Sequence, residues 1–221
     1  MITLVLEAST YSGSAALLHN GHLVGEQSVA MRGREHEALM PAVAAMLEAH
    51  GTSAKSVGRV VCGAGPGAFT SLRLAASIAK GIALAARAEL VPVSSLALLV
   101  ASQGTLAPGR FLAAVNAMRG EHYIQLFEID VHLDIHAASE LGIVASSVVD
   151  ERASTLGAIA IGPERSGACS VIPHARSAAY ITNMLAATQP ADLAGWGPGY
   201  GRLAEAQVKW EALHGRPLVA G

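Results

Sequence analysis

Charge is scarce in this sequence. Asp, Glu, Lys and Arg make up 14% of its 221 residues, and the formal net charge is -2. Arginine outnumbers lysine, 12 to 3, but the arginines are scattered. No basic field draws the chain to a membrane or to nucleic acid, which argues against direct RNA binding by the chain alone. Aspartate is scarcer still: Asp130, Asp134, Asp150 and Asp192 are all there is. Enzymes that transfer phosphoryl groups hold Mg²⁺ on carboxylates, and none of these four closes a buried strand beside a glycine turn. Two cysteines, Cys62 and Cys169, exclude a disulfide scaffold and a cysteine-rich metal site, and the chain reads as intracellular. The opening "MITLVLEAST" lacks a positive leader and turns polar after Leu6, so it is expected to be a strand and not a signal peptide.

What the chain has is apolar surface: 52% of residues are hydrophobic, enough for one large domain or two lobes. Residues 2–6 read as a buried strand. "AALLHNGHLVGEQSVA" reads as strand, Asn20-Gly21 hairpin and strand. Leu39, Val43, Met46 and Leu47 form one stripe of a helix near 37–50, with Pro41 tolerated in its first turn. "GRVVCGAG" is a strand, 70–87 a helix, "LVPV" a strand, and 94–103 the start of another helix. After "TLAPG" the pattern partly repeats, with strands in "RFLAAVNA", "GEHYIQLFEID", "HLDIHAA" and "LGAIAIGP", then a helix over 175–188 and a short one in the tail. The chain divides on this reading into two related lobes, 1–104 and 105–221, the second reduced.

The glycine turn "GAGPGAFTS" opens the long helix as phosphate-binding loops do. No lysine follows Gly67, so it is not a Walker A loop. Gly63, Gly65 and Ala68 fit the dinucleotide pattern, but three strands precede it and Glu89 stands before the next strand instead of closing it. Tight packing at Gly65 and Gly67, with Thr70 or Ser71 capping the helix, is preferred. The weak cofactor-site candidates are Gly65, Gly67, Glu7 at the end of the first strand, and Asn116 at the matching place in the second half. A neutral amide is a poor metal anchor. His36-Glu37 begins a zincin-like pattern, but Met40 stands where the second histidine belongs.

The two helices carry more apolar surface than one face needs. Ala75, Ala79 and Ala83 recur at i, i+4, i+8, with Ser77 and Gly81 beside them. Either both helices are buried in a single core, or they present a surface to a partner. In the second case Leu39, Ala42, Val43, Met46, Ala75, Ile78, Ala79 and Ile82 line that interface.

"LVLEAST", "REHEALMPAV", "GAGPGAFTSLRLAASIAKGIALA" and "VPVSSLALLV" together resemble the TsaB family. Gly63, Gly65, Pro66, Gly67, Phe69, Thr70 and Arg73 match its central glycine motif. Ala117, Glu121 and Tyr123 match a second segment, and Pro198, Tyr200 and Arg202 a third. The resemblance implies a duplicated actin/hexokinase/Hsp70-like α/β fold with two βββαβαβα-type lobes. It implies a non-catalytic subunit of the machinery that adds threonylcarbamoyl to a tRNA adenosine. The partners implied are a TsaD-like catalytic subunit and a TsaE-like ATPase, which bring the ATP and the metal; tRNA is met only through the complex. Where the family usually has Asp, this chain has Glu7, and where it often has Asp, Asn116. An exposed apolar face predicts a homodimer when the partner is absent. The rival readings are an autonomous nucleotide-dependent enzyme of this fold and a metallo-glycopeptidase.

Overall fold

The computed structural model describes residues 1–31, 38–201 and 213–215. His36, Glu37, the expected tail helix and Arg202 lie outside the described residues.

The first half opens with β1 (Ile2–Glu7), β2 (Ser12–His19) and β3 (His22–Ala30), an antiparallel meander turned at Asn20 and Gly21, both with positive φ. After α1 (Leu39–Ala49) come β4 (Val57–Gly63), α2 (Phe69–Ala86), β5 (Glu89–Val93) and α3 (Ser95–Ala101). β4 pairs parallel to both β1 and β5, giving the order β3-β2-β1-β4-β5. Alternation splits this sheet between two cores. Leu4, Leu6, Leu17, Val60, Cys62 and Leu90 face α1 and α2. Val5, Ala16, Leu18, Val61, Val91 and Val93 face the opposite way, into the cluster that holds α3.

The second half builds a smaller sheet from β6 (Gly109–Asn116), β7 (Glu121–Ile129), β8 (Ile135–Ala137), β9 (Gly142–Ala145) and β10 (Ile159–Ile161). Its order is β10-β6-β7-β8, with β9 also on β7. Phe111, Ala113, Val115, Tyr123 and Phe127 join the cluster around α3. The other face, with Leu112, Ala114 and Leu126, is covered by α4 (Val149–Thr155). The layers are therefore helices, sheet, helix, sheet, helix. This is the duplicated actin/hexokinase/Hsp70-like α/β fold with a reduced second lobe. β9 and α4 were not expected from the sequence. The helix expected over 175–188 is two pieces, a 3₁₀ turn Ala175–Tyr180 and α5 (Thr182–Ala187). The 3₁₀ turn packs on the first sheet, where Ala175 N–H donates to Ser14 Oγ at 2.9 Å.

α2 has the length and hydropathy of a membrane span, yet its inner face is buried on the sheet and its outer side carries Arg73 and Lys80. That inner face corrects the expected docking surface. Leu39, Val43, Met46, Ala75, Ala79 and Ile82 are all buried in the chain's own core, and Ala42 and Ile78 are half-buried. The alanines face inward because the helix lies close over β4 and β1, where larger side chains would hold it off. The outward stripe is Arg73, Ser77, Gly81, Leu84 and Ala85, with Leu84 71% exposed. The expected cap is also corrected: Ala68 is the N-cap of α2, and no side chain caps it.

Ala79→Arg should therefore unfold the chain. It buries a charge and overpacks a filled site, at a cost of about 3 kcal/mol or more. Circular dichroism and urea titration should show lost cooperativity, whereas a native-like melt would put Ala79 on a surface.

Candidate functional site

Glu7 ends β1 with its side chain fully buried. Its Oε1 accepts from Ser9 N–H at 2.5 Å, and its Oε2 from Ser95 Oγ–H at 2.8 Å. Ser95 Oγ in turn accepts from Gly65 N–H at 3.1 Å, and Ser95 N–H donates to Gly65 O at 3.0 Å. One carboxylate thus ties β1, the glycine turn and α3. Burial raises its pKa above the usual carboxylate range, while the bonds from Ser9 and Ser95 pull the other way. Burial, with Glu7 beside it, also pushes the Cys62 thiol up, so Cys62 is an inert core residue.

The glycine turn is filled by the chain itself. A Cβ on Gly63 would lie 1.9 Å from Glu7 Oε2, one on Gly65 2.2 Å from Gly199 O, and one on Gly67 2.1 Å from Ser9 O. Gly65 also needs its φ of +87°. Three of its amides are bonded within the chain: Ala64 N–H donates to Val93 O and Ala68 N–H to Ser9 O, each at 2.7 Å, and Gly65 N–H to Ser95 Oγ; Gly199 N–H donates to Ala64 O at 2.7 Å. Close packing at each of the three positions calls for glycine.

Asn116 sits at the matching strand end but is exposed. Its Oδ1 accepts from Met118 N–H and its Nδ2 donates to Glu164 Oε1, both at 2.6 Å. Glu164 Oε2 is 3.0 Å from Nε2 of buried His122, whose Nδ1 lies 2.8 Å from Ser146 Oγ. Glu7 and Asn116 therefore each belong to a closed local network. Among the described residues no group of three or more His, Cys, Asp or Glu is placed to hold a metal ion.

One constellation has the order of a hydrolytic triad. Ser28 Oγ is 2.9 Å from His174 Nε2, and His174 Nδ1 is 3.9 Å from Glu26 Oε2. The tautomer is wrong for catalysis. His174 Nδ1 accepts from Arg176 N–H at 3.1 Å, so the ring proton is on Nε2 and points at Ser28. Burial and then Arg176 lower the His174 pKa, which keeps this neutral form. The set joins β3 to the 3₁₀ turn. It was not found from the sequence, because His174 lies 146 residues from Ser28. Ser95 was missed for another reason: beside Ser94, whose Oγ accepts from Ala97 N–H, it looks like a second capping residue.

The carboxyl of Glu7 binds its proton more tightly in the folded chain than in the unfolded one. Its contribution to stability is thus full at low pH and lost as pH rises from the ordinary glutamate range through the raised value. Glu7→Gln keeps an acceptor for Ser9 and removes that decline, so near pH 7 it should equal or exceed the parent. Glu7→Ala strands buried donors and should cost about 2–4 kcal/mol. Melts across pH separate the two; a parent and Gln variant with identical pH profiles would mean that the buried charge is no burden.

A family model described as TsaD, tRNA N6-adenosine threonylcarbamoyltransferase, matches residues 30–156. The tRNA threonylcarbamoyladenosine biosynthesis protein TsaB of Escherichia coli (strain K12) is 30% identical over 160 residues, 71% of this chain and 68% of that protein. The protein of the same name from Haemophilus influenzae is 31% identical over 121 residues, 54% of this chain and 51% of that one. Among solved structures, YeaZ from Pseudomonas aeruginosa superposes with a TM-score of 0.73 over 90% of this chain and 99% of its own, at 23% identity, which speaks for the fold alone. With a model matching more than half of the sequence and a relative of this identity and coverage, the chain belongs to the TsaB family.

Proposed function

We propose that this chain serves tRNA threonylcarbamoyladenosine biosynthesis as a non-catalytic scaffold subunit in the cytoplasm. It docks a TsaD-like transferase, and a TsaE-like ATPase joins the pair. The curated relatives carry that pathway in their names. The observation that carries the non-catalytic part is the state of the two strand ends. An enzyme of this fold needs charged groups facing a ligand there. Here Glu7 is buried and held by Ser9 and Ser95, and Asn116 is neutral and tied to Glu164. ATP and metal are assigned to the partners.

The outer face of α2 supports docking. Gly81 lies inside an 18-residue helix, and a Cβ there meets nothing within 4 Å. Glycine in a helix interior costs about 1 kcal/mol relative to alanine, and nothing among the described residues requires it. Close approach of another backbone does. Leu84 and the small residues Ser77 and Ala85 flank it, and exposed Met40, Ala44 and Ala45 extend the face on α1. Without a partner, two copies cover the face by two-fold pairing.

Leu84→Arg should stay folded, fail to co-purify with the TsaD-like subunit and sediment as a monomer where the parent is a dimer. Gly81→Ala should stabilise the chain by about 1 kcal/mol in chemical denaturation and yet weaken the partner. Normal complex formation by both variants would move the docking face elsewhere. The pure chain should not turn over ATP; turnover abolished by Glu7→Ala would make it an enzyme.

A further inference from the structure

Past α5 the chain crosses from the first sheet to the second as a strap, residues 191–201, with no helix or strand in it. Ala191 N–H donates to Leu90 O at 2.8 Å on the edge of β5, and Gly199 N–H to Ala64 O in the glycine turn. Tyr200 O accepts from the hydroxyl of Tyr123 on β7 at 2.8 Å. Ala191, Leu193 and Trp196 pack against the cluster beneath α2. On this face of the sheet α1 lies over β2 and β3, α2 over β1 and β4, and the strap along β5, so α2 is walled on both sides. The strap's rings meet one stripe of α2. The ring centres of Tyr200 and Phe69 are 4.3 Å apart, and the Arg73 guanidinium stands 5.1 Å from that of Phe69. Lys80 Nζ stands 5.9 Å from the Trp196 ring centre. Phe69, Arg73 and Lys80 recur at i, i+4 and i+11, and Ser77 and Leu84 of the outer side each stand four residues beyond Arg73 and Lys80. The strap therefore borders the proposed docking face.

We infer that the strap opens and closes as one unit, and that its closed state orders α2 from the first turn and readies the outer face for a partner. The partner's identity rests on the docking reading above. α2 starts without a side-chain cap, since Ala68 is its N-cap. Its first turn is held by the Ala68 N–H bond to Ser9 O and by the cover that Tyr200 gives Phe69. Uncapped helix ends fray, and loss of that cover loosens the turn from Ala68 to Leu72. The strap has the make-up of a segment that opens locally. Of its residues Pro198 alone is buried, and Gly195, Gly197, Gly199 and Gly201 leave it little side chain to anchor. Asp192 accepts from Gly195 N–H on its carboxylate and from Trp196 N–H on its carbonyl, a turn that keeps the strap together as it lifts. Opening puts the rings of Trp196 and Tyr200 into water, which favours the closed form. A partner that takes only the ordered α2 draws the strap shut, and by reciprocity a closed strap tightens the partner.

Hydrogen exchange of the full chain reads the strap directly. The amides of Ala191 and Gly199 should exchange through one common opening, well ahead of Val61 in β4. Exchange only together with Val61 overturns the strap. Two substitutions act at its far end, on the second sheet and away from the outer face of α2. Tyr123→Phe removes the bond to Tyr200 O and should speed both amides by roughly 2- to 10-fold. Gly201→Ala sets a Cβ 2.3 Å from Tyr123 Cε1 at a φ of +71° and should open the strap further. In both variants the Leu72 amide, which bonds Ala68 O in the first turn of α2, should speed up with the strap while Val61 does not. An unchanged Leu72 amide beside an opened strap overturns the inference. If Gly201→Ala loses its native circular dichroism, Tyr123→Phe alone decides. Added TsaD-like subunit should slow exchange at Gly199 in the parent, and Gly201→Ala should weaken that subunit by roughly 5-fold or more. Parental affinity with an opened strap overturns the coupling and leaves the docking face where it is. If the parent binds no TsaD-like subunit, the docking reading falls, and the strap's hold on α2 still stands or falls on the Leu72 amide of the free chain.

Discussion

Everything at the centre of this molecule depends on backbones coming closer than a methyl group allows. The turn from Gly63 to Gly67 is pressed by Glu7, by Ser9 and by Gly199, and a Cβ at any of its three glycines would collide with one of them. The Glu7 carboxylate accepts from Ser9 and Ser95 because it sits where β1, the turn and α3 converge. Hydrogen bonds to a buried acid offset part of its desolvation, and three elements are fixed in the exchange. The convergence is a joint between β1, the turn and α3.

α2 extends the same economy outward. Its inner side is built from Leu72, Ala75, Ala76, Ala79, Ile82 and Ala83, small enough to seat the helix close to β4. Its outer side is small again at Ser77, Gly81 and Ala85, all exposed, and a Cβ on Gly81 meets nothing within 4 Å among the described residues. One helix thus makes a close approach to its own sheet and, on the proposed reading, leaves room for a second with a partner.

Much of this was legible in the residues. The Asn20-Gly21 hairpin, the stripe of Leu39, Val43, Met46 and Leu47, and the strands on either side of the glycine turn and its helix follow directly from periodicity and turn chemistry. Which small stripe of α2 faced inward did not. Alanine, serine and glycine differ little in apolar area, so periodicity barely separates the two sides. The charged side chains of Arg73 and Lys80 mark the solvent side and were the better guide. β9 and α4 were missed because elements of four and seven residues with mixed burial lie below any periodic signal. The meeting of Phe69, Tyr123 and Tyr200 is a matter of topology, which local pattern does not encode.

α3 is buried along its whole length, and part of its cover is the 3₁₀ turn Ala175–Tyr180 from the far end of the chain. During synthesis the first sheet emerges complete, but its inner apolar face waits for strands β6 and β7 and then for that late turn. The nascent chain therefore holds an uncovered seven-residue apolar helix through much of translation. The two lobes resemble each other in plan, yet the order of emergence makes them unequal: the first can pair its strands at once, and only the arrival of the last third of the chain closes its core.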